Sequence, residues 1–279
     1  MTMSMTRPDE GLPSAWQRLF GTSHPVVLVT GSTAPRVGQS VLRHFAQLGC
    51  HVVAHGHRTT DRVPEIVQQL EAEGRQVLAV SGPVESETAV RAWIDQIVAR
   101  FGRLDICVNS AAIWQPQRLE AVSAQDVQRY LEVNVLGSFL VAQKAGLQMV
   151  SQPHGGVIIN IGDWSTVRPY PDHAAYFPSK GAVEAMTRSL AVEFAERNPK
   201  VRVNAILPGP VLFADDVTAE QRQATADACL LRRTGSPEHI ALAAEFFVRN
   251  DFVTGVCLPV DGGRSIYAAE PLHTRYRTG

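Results

Sequence analysis

A tyrosine and a lysine stand four residues apart in the segment YFPSK, as Tyr176 and Lys180. On a helix, side chains at this spacing lie one above the other on the same face, so the lysine ammonium can approach the phenol. A free phenol has a pKa of about 10, and a neighbouring cation favours its ionised form. We therefore expect Tyr176 to act as an acid and base near neutral pH, assisted by Lys180. Pro178 is compatible with this helix if it lies in the first turn, where its missing N–H would have no partner.

Asp163 precedes Tyr176 by thirteen residues, in IINIGDW. A ketone reductase needs hydrogen-bond donors at the carbonyl oxygen, which gains negative charge as hydride arrives. An ionised carboxylate only accepts hydrogen bonds and would repel that oxygen. Asp163 therefore favours a substrate that presents N–H groups or that needs a proton at a ring nitrogen. Two alternatives stay open: Asp163 caps the loop that follows it, or burial keeps it protonated so that it donates as a serine would.

The segment TGSTAPRVG follows an apolar run and predicts a phosphate-binding turn. Gly31 and Gly38 flank it, with Arg36 and Val37 between them. A glycine-rich turn between a strand and a helix lets backbone N–H groups approach a pyrophosphate at the positive end of the helix. The alternative is a plain connection between two elements.

The end of the next apolar run, AHGHRTTD, bears on the choice of cofactor. NAD-binding proteins place an acidic residue there to hold the ribose hydroxyls, whereas an arginine accommodates the 2′-phosphate of NADP. His57, Arg58 and Thr59 occupy this turn, and the first acid is Asp61. The sequence therefore predicts NADPH as the cofactor, with Arg58 and Arg36 binding the phosphate through charge-assisted hydrogen bonds. A solvated Arg58 is the alternative.

The glycine-rich turn, the segment VNSAAIW and the Tyr-x-x-x-Lys pair together resemble the short-chain dehydrogenase/reductase family, over residues 25–267. The glycine-rich turn departs from the family pattern, because its middle glycine is absent and its last glycine comes one residue later. Asp163 stands where most members have a serine, which is similar to the pteridine reductase branch. The resemblance implies a homotetramer and a cofactor site that includes Asn109, Ser110, Ala111, Lys180, Pro208 and Gly209.

The resemblance to pteridine reductases also implies roles for two residues near the substrate. Trp114 would stack on a flat pterin ring, held against the nicotinamide. Asn134 would hold Lys180 in place through a water molecule. Trp114 could equally be a core or interface residue, and Asn134 could be a bend residue in its helix.

Residues 209–232 match the loop that covers the substrate in this family. Asp215 and Asp216 in this loop resemble an acidic feature of pteridine reductases, or they simply start a helix, whose dipole favours negative charge. In the C-terminal tail, Arg275 and Arg277 could contact another subunit near the active site.

Short β-branched runs alternate with helical patterns along the chain, which predicts a parallel sheet covered by helices on both faces. The predicted strands are residues 25–30, 51–57, 76–81, 104–110, 156–162, 202–208 and 255–263, and helices are predicted over 37–48 and 174–196. The fold class is therefore α/β, a Rossmann-type doubly wound parallel sheet in three layers, with a single domain over residues 24–279. In such sheets ligands bind outside the carboxyl ends of the strands, where the motifs fall.

The composition is that of an ordinary globular protein, with 279 residues, of which 45% are apolar and 19% charged. The net charge of -1 gives no electrostatic argument for nucleic acid or a membrane surface, so a small molecule is the expected partner. The 4 cysteines have no paired spacing, which favours reduced thiols in a cytoplasm over disulfides or a metal site. Residues 1–23 are expected to form a loose or disordered arm, although Trp16, Leu19 and Phe20 share helical spacing and could dock on a neighbouring surface. No apolar run reaches the length of a membrane span.

The sequence as a whole predicts an NADPH-dependent reductase that transfers hydride to the C=N bond of a dihydropterin- or dihydrofolate-like ring. Asp163, Tyr176 and Lys180 would form its acid and base site, with Asn134 in support. An NADPH-dependent carbonyl or 3-oxoacyl reductase is the first alternative. A non-catalytic protein that binds the cofactor through the same fold is the second.

Overall fold

The computed structural model describes residues 14–58, 64–214 and 216–267. Within these residues the chain forms a seven-stranded parallel sheet with strand order β3-β2-β1-β4-β5-β6-β7. The strands are β1 Val26–Val29, β2 His51–Gly56, β3 Val77–Ser81, β4 Ile106–Asn109, β5 Gly156–Ile161, β6 Val201–Pro208 and β7 Cys257–Val260. They are rich in valine and isoleucine, which suit a sheet buried on both faces. Strand order and pairing confirm the predicted doubly wound α/β fold and the single domain.

Helices cover both faces of the sheet. In the described residues they are α1 Ala15–Phe20, α2 Val37–Gln47, α3 Glu65–Ala72, α4 Glu87–Phe101, α5 Ala124–Tyr130, α6 Ser138–Val150, α7 Tyr176–Ala195, α8 Ala219–Asp227 and α9 Pro237–Arg249. On one face, Leu42 of α2 and Phe247 of α9 belong to the same buried cluster as Val27 of β1. On the other face, Trp93 of α4 and Phe194 of α7 are buried with the opposite side of the sheet. The result is the predicted three-layer arrangement.

Part of the predicted N-terminal arm is folded. Helix α1 begins after Ser14, whose side chain caps it. Trp16 and Phe20 are buried, and the Trp16 indole donates a hydrogen bond to the Leu48 carbonyl at 3.0 Å. This segment is therefore a docked helix rather than loose chain, since its apolar side chains complete the core beside α2 and α9. Residues 1–13 of the predicted arm lie outside the described residues.

The predicted site segments lie at the carboxyl edge of the sheet. Strand β1 lies between β2 and β4, so the strand order reverses at β1 and opens a crevice there. The N–H of Thr30, just after β1, donates to the carbonyl of Val108 in β4 at 3.0 Å. The glycine-rich turn after β1, the Asn109 turn after β4 and Asp163 after β5 are therefore brought to neighbouring positions.

Three of the cysteines, Cys50, Cys107 and Cys229, are buried and unpaired, and Cys257 is half-buried. Burial raises the pKa of Cys50 and of Cys107 to about 12, because a buried thiolate loses its hydration. These thiols therefore stay protonated and pack as small apolar groups.

Among the described helices, none is long and apolar enough to cross a membrane.

Candidate active site

Tyr176 is the first residue of α7, and Lys180 lies one turn further on. The carbonyl of His173 accepts hydrogen bonds from the backbone N–H groups of Tyr176, at 3.0 Å, and of Phe177, at 3.2 Å. Pro178 lies in the first turn, as predicted, where its missing N–H leaves no helical bond unmade. Tyr176 and Lys180 keep only 4% and 5% of their surface exposed. The helix start therefore holds both side chains in a position that solvent scarcely reaches.

The Asp163 carboxylate uses its two oxygens differently. Its Oδ2 accepts a hydrogen bond from the Tyr176 hydroxyl at 2.8 Å. Its Oδ1 accepts from the backbone N–H of Ser165, at 2.9 Å, and from the Ser165 hydroxyl. The short helix Trp164–Thr166 begins at this cap. The capping role and the contact with Tyr176, which the sequence left as alternatives, are therefore both present.

The electrostatic setting of Tyr176 differs from the expectation. Burial raises the pKa of Tyr176 well above its ordinary value, and the charge and hydrogen bond of Asp163 raise it further. The Lys180 ammonium is 6.0 Å from the centre of the Tyr176 ring, whereas the Asp163 carboxylate is hydrogen-bonded to the Tyr176 hydroxyl itself. The prediction that Lys180 brings the tyrosine pKa towards neutral is therefore wrong in this arrangement. Tyr176 is a protonated hydrogen-bond donor here.

Lys180 lies beneath this pair, and its ammonium donates to the Ile161 carbonyl at 2.9 Å. Burial lowers the pKa of Lys180 to about 8, an effect that the negative charge of Asp163 partly opposes. A lysine with this pKa is charged at neutral pH and becomes neutral in mildly alkaline solution. Lys180 therefore places a positive charge close enough to Asp163 to interact with it, and its burial makes that charge unfavourable.

Asn134 forms hydrogen bonds with the segment after β4 and with the first turn of α7. It lies in a π-helical segment, Leu131–Gly137, a form that is frequent at functional sites. Its side chain accepts from the Ile113 N–H at 2.9 Å and donates to the Ser179 hydroxyl at 3.0 Å. Ser179 in turn donates to the carbonyl of Tyr176 at 2.6 Å. The asparagine thus links the segment after β4 to the start of α7, and the predicted contact with Lys180 through a water molecule stays a prediction.

The rings of Trp114, Tyr170, His173 and Phe177 pack together and form an aromatic wall beside Tyr176. The ring of Trp114 stacks on that of His173, with centroids 5.1 Å apart and planes 25° apart. Tyr170 and Phe177 also contact the His173 ring, at 4.8 Å and 5.7 Å between centroids. Trp114 is 42% exposed, so one face of the indole is open to a ligand. The packing against His173 agrees with one of the two alternatives for Trp114, and its stacking on a ligand stays a prediction.

The glycine-rich turn has the close backbone approach that a phosphate cradle needs. Gly31 has a φ of 68°, and a Cβ on Gly38 would meet the Gly31 carbonyl oxygen at 2.9 Å. Helix α2 begins at Val37, so its N-terminal N–H groups point towards this turn. Substitution of either glycine would displace the turn. These residues fit a dinucleotide whose pyrophosphate lies at the start of α2.

The turn after β4 is tied to the glycine-rich turn. The hydroxyl of Thr30 accepts from the N–H groups of Ser110 and Ala111, both at 3.0 Å. Asn109 donates to Asn160 at 2.9 Å, and its own side-chain oxygen is buried with no hydrogen-bond partner in the described part of the chain. A buried amide oxygen of this kind requires a donor. Ribose hydroxyls of a bound dinucleotide are donors of the required kind.

The predicted phosphate-binding residues lie at the outer end of this crevice. Arg36 immediately precedes α2, and His57 and Arg58 follow β2, and all three are exposed. Thr59 and Asp61 lie outside the described residues, as do Asp215, Arg275 and Arg277.

Pro208 ends β6, and Gly209 lies so close to the turn after β7 that a Cβ on it would meet the Asp261 Cα at 2.4 Å. These two residues therefore lie at the carboxyl end of β6, the same edge of the sheet as the glycine-rich turn, and their contact with the cofactor stays a prediction.

Two histidines at the site were not singled out from the sequence. His55, the fifth residue of β2, accepts from the Gly31 N–H at 3.0 Å and lies 3.0 Å from the Gly82 carbonyl, so it fixes the glycine-rich turn. Burial lowers its pKa to about 4, which keeps it neutral. His173 lies three residues before Tyr176. A polar residue one turn before Tyr176 is a signal that could have identified it.

Comparison with known proteins agrees with this geometry. A family model described as enoyl-(acyl carrier protein) reductase matches residues 35–265. The chain is 30% identical to glucose 1-dehydrogenase 2 of Bacillus subtilis over 249 residues, which cover 87% of this chain and 95% of that protein. It is 34% identical to 3beta-hydroxysteroid dehydrogenase 1 of Eggerthella lenta over 247 residues, covering 86% and 94%. A gluconate 5-dehydrogenase of Burkholderia cenocepacia J2315, solved with NADP and tartrate, matches with a TM-score of 0.82 at 28% identity, covering 91% of this chain and 100% of that one.

The chain therefore belongs to the short-chain dehydrogenase/reductase family. It is an oxidoreductase that uses a nicotinamide cofactor, as the sequence resemblance implied. None of the three relatives named above is a pteridine reductase, and the two found by sequence are a sugar dehydrogenase and a steroid dehydrogenase.

Proposed function

We propose that the protein is an NADP(H)-dependent oxidoreductase that interconverts a secondary alcohol and the corresponding carbonyl compound. The observation that carries this proposal is the hydrogen bond from Tyr176 to Oδ2 of Asp163, which joins a protonated donor to a proton acceptor at one point. An alcohol that oxidises there needs both groups. The names of the relatives support the same class of substrate, since they are dehydrogenases of hydroxyl-bearing compounds.

The division of work between the two side chains follows from their environments. In oxidation, the substrate hydroxyl gives its proton to Oδ2 of Asp163, and hydride leaves the carbinol carbon as the C=O bond forms. When bound, the nicotinamide cofactor accepts this hydride, or supplies it in the reverse direction. Once Oδ2 has taken up the proton, the Tyr176 hydroxyl, held protonated by burial, turns from Oδ2 and donates its one hydrogen bond to the substrate oxygen while that oxygen carries negative charge. In reduction, the proton returns from the Asp163 carboxyl group, which removes the repulsion that a bare carboxylate would cause.

Arg58 and Arg36 support NADP(H) over NAD(H) as the preferred cofactor. Both are exposed at the adenosine end of the crevice, where a 2′-phosphate would lie. We expect Arg58→Ala to weaken NADPH binding by about tenfold while NADH binding is unchanged, because only the former loses a charge-assisted hydrogen bond. Fluorescence titration with both cofactors measures the two dissociation constants. Equal losses for NADPH and NADH would contradict the assignment.

Reduction of a dihydropterin is the second candidate. It is favoured by the carboxylate at position 163, which can accept from ring N–H groups, and by the open face of Trp114, on which a flat ring can stack. In this function the proton held between Tyr176 and Asp163 would go to a ring nitrogen.

The deciding experiment follows nicotinamide absorbance with secondary alcohols and NADP, with the matching ketones and a 3-oxoacyl thioester and NADPH, and with dihydrobiopterin and NADPH. The variants are Asp163→Asn and Tyr176→Phe, with Asp95→Asn, an exposed residue of α4, as the matched control. We expect alcohol oxidation by wild type and the control, and a loss of about 100-fold or more in each site variant. Turnover of the pterin alone would select the second candidate. NADPH binding without turnover of any substrate would select the non-catalytic alternative.

The segment 209–232 is proposed as the substrate-covering loop. Arg264 supports this, because its guanidinium lies 5.0 Å from the ring of Trp164 and donates to the Thr225 carbonyl of α8 at 2.8 Å. Through these contacts α8 is tied to the turn that Asp163 caps. Limited proteolysis with and without NADPH and substrate tests the assignment, since a covering loop becomes protected when the site is filled.

A homotetramer is the proposed assembly. Leu136, Phe139 and Leu147 are exposed along one stretch that includes α6, with exposed fractions of 45%, 38% and 48%. Exposed apolar side chains grouped on one helix are typical of a subunit interface. Light scattering coupled to gel filtration measures the mass, and Leu147→Glu should lower it if this face is buried between subunits.

A further inference from the structure

His173 is a buried polar residue that the proposed mechanism leaves unused. Only 7% of its surface is exposed. Its Nδ1 lies 2.9 Å from the Pro171 carbonyl oxygen. Its Nε2 is buried and has no hydrogen-bond partner in the part of the chain that the structure describes.

The contact with Pro171 fixes how the neutral ring carries its proton. A carbonyl oxygen can only accept, so Nδ1 must carry the hydrogen. In the neutral imidazole Nε2 then has a lone pair and acts as an acceptor. A buried acceptor without a donor is unfavourable, and such groups in native proteins usually have an explanation in ligand binding or catalysis.

The position of the ring points to the substrate side of the site. The His173 ring centre lies 6.3 Å from that of Tyr176, with the planes 72° apart. Trp114 covers one face of the imidazole as a stacked ring and is itself partly exposed. A ligand held at Tyr176 and Asp163 would therefore lie beside the stacked pair of Trp114 and His173.

We propose that His173 is a specificity-determining residue, whose Nε2 accepts a hydrogen bond from a second hydroxyl or N–H group of the substrate next to the reacting carbon. This inference rests on the proposed alcohol chemistry and deepens it. It selects vicinal diols and sugars, in which a hydroxyl neighbours the carbinol carbon, over simple alcohols. The donor would approach Nε2 at the edge of the imidazole, in the plane of the ring where the lone pair lies, while Trp114 keeps its place on the ring face.

The test compares substrates that differ by one hydroxyl group. Cyclohexane-1,2-diol is paired with cyclohexanol, and glucose with 2-deoxyglucose, each with NADP. A site built to bind a hydroxyl group discriminates against the analogue that lacks it. We expect wild type to prefer the diol member of each pair by about tenfold or more in kcat/KM, and His173→Phe to bring this ratio close to unity.

The ratio of kcat/KM for the two members of a pair separates substrate recognition by His173 from a structural role. His173→Phe keeps a planar ring in the aromatic wall, and a purely structural loss would lower kcat/KM for both members of a pair alike. His173→Gln keeps an acceptor and should retain part of the preference. Cofactor binding and the melting temperature of each variant show that it is folded. An unchanged ratio in His173→Phe, or no preference in wild type, would overturn the inference while leaving the alcohol chemistry intact.

Failure of the proposed function gives a different result. If wild type oxidises no alcohol, the proposed function is lost, and His173 is then tested by binding alone. Cyclohexane-1,2-diol is titrated into the NADPH complex, and tryptophan fluorescence reports binding beside the exposed part of Trp114. Weaker binding to His173→Phe than to wild type would support the recognition role. Equal binding, or no binding to wild type, would overturn it.

Discussion

The buried charge of Lys180 should control how the stability of the protein depends on pH. Its pKa is lowered from 10.5 to about 8 by burial. A shift of this size corresponds to about 3 kcal/mol, at about 1.4 kcal/mol for each pKa unit. In the unfolded chain the lysine keeps its proton until about pH 10.5, whereas in the folded chain it loses the proton near pH 8. Between these values the unfolded state binds more protons, so the free energy of unfolding rises with pH.

Urea unfolding of wild type and Lys180→Met at several pH values isolates this contribution. Cys50 and Cys107, with pKa values raised to about 12, act in the opposite direction above about pH 9. They are common to both proteins and cancel in the difference. The free energy of unfolding of wild type minus that of the variant should rise by about 2 kcal/mol between about pH 8 and pH 9.5. Lys200→Met, at an exposed lysine, is the matched control and should show no such rise.

A difference that stays constant across this range would refute the reasoning. It would mean that water or a negative charge stabilises the Lys180 ammonium in addition to its hydrogen bond to the Ile161 carbonyl. The electrostatic account of Tyr176 would then need revision as well, because both pKa shifts are attributed first to burial.

Three further substitutions test the cofactor turn and the framework. Gly38→Ala would bring a methyl group to 2.9 Å from the Gly31 carbonyl oxygen, so it should lower the free energy of unfolding by about 1–3 kcal/mol. It should also weaken NADPH binding in a fluorescence titration, and unchanged binding would count against a phosphate site at the glycine-rich turn. Gly181→Ala in α7 meets no atom within 4 Å and should raise the free energy of unfolding by about 0.5–1 kcal/mol, and a decrease in urea unfolding would contradict this. Arg103→Met leaves the fully buried carboxylate of Asp105 without its 2.7 Å ion pair. The free energy of unfolding should therefore fall by about 3–5 kcal/mol. An unchanged melting temperature would show that the ion pair contributes little to stability.

The elements that carry the site could be predicted because their signals are local. Valine-rich runs bounded by turn residues identified the strands, and the spacing of Tyr176 and Lys180 identified helix α7. Asp163 was predicted to share an acid and base site with Tyr176, and the structure joins them by a hydrogen bond. For Tyr176 and Lys180 the spacing along the chain was enough to place both side chains on one face of the helix.

The remaining features depend on contacts between distant segments, which spacing does not encode. The partners of Asn134 are Ile113 and Ser179, and neither follows from its position in a helix. The pKa of Tyr176 moved in the direction opposite to the expectation, because burial and a carboxylate together outweigh the Lys180 ammonium. The sign of such a shift depends on distances within a folded site, and a sequence supplies none of them.

The cap formed by Asp163 makes its two carboxylate oxygens chemically distinct. Oδ1 accepts two hydrogen bonds from Ser165, whereas Oδ2 faces Tyr176. A half-turn of the carboxylate would exchange the two oxygens, and it can occur only after both bonds from Ser165 have broken. A proton taken up at Oδ2 therefore stays on the side where the substrate lies. The carboxylate behaves as a one-sided base whose orientation is stored in the fold of the turn after β5, and each catalytic cycle would begin with the same oxygen in place.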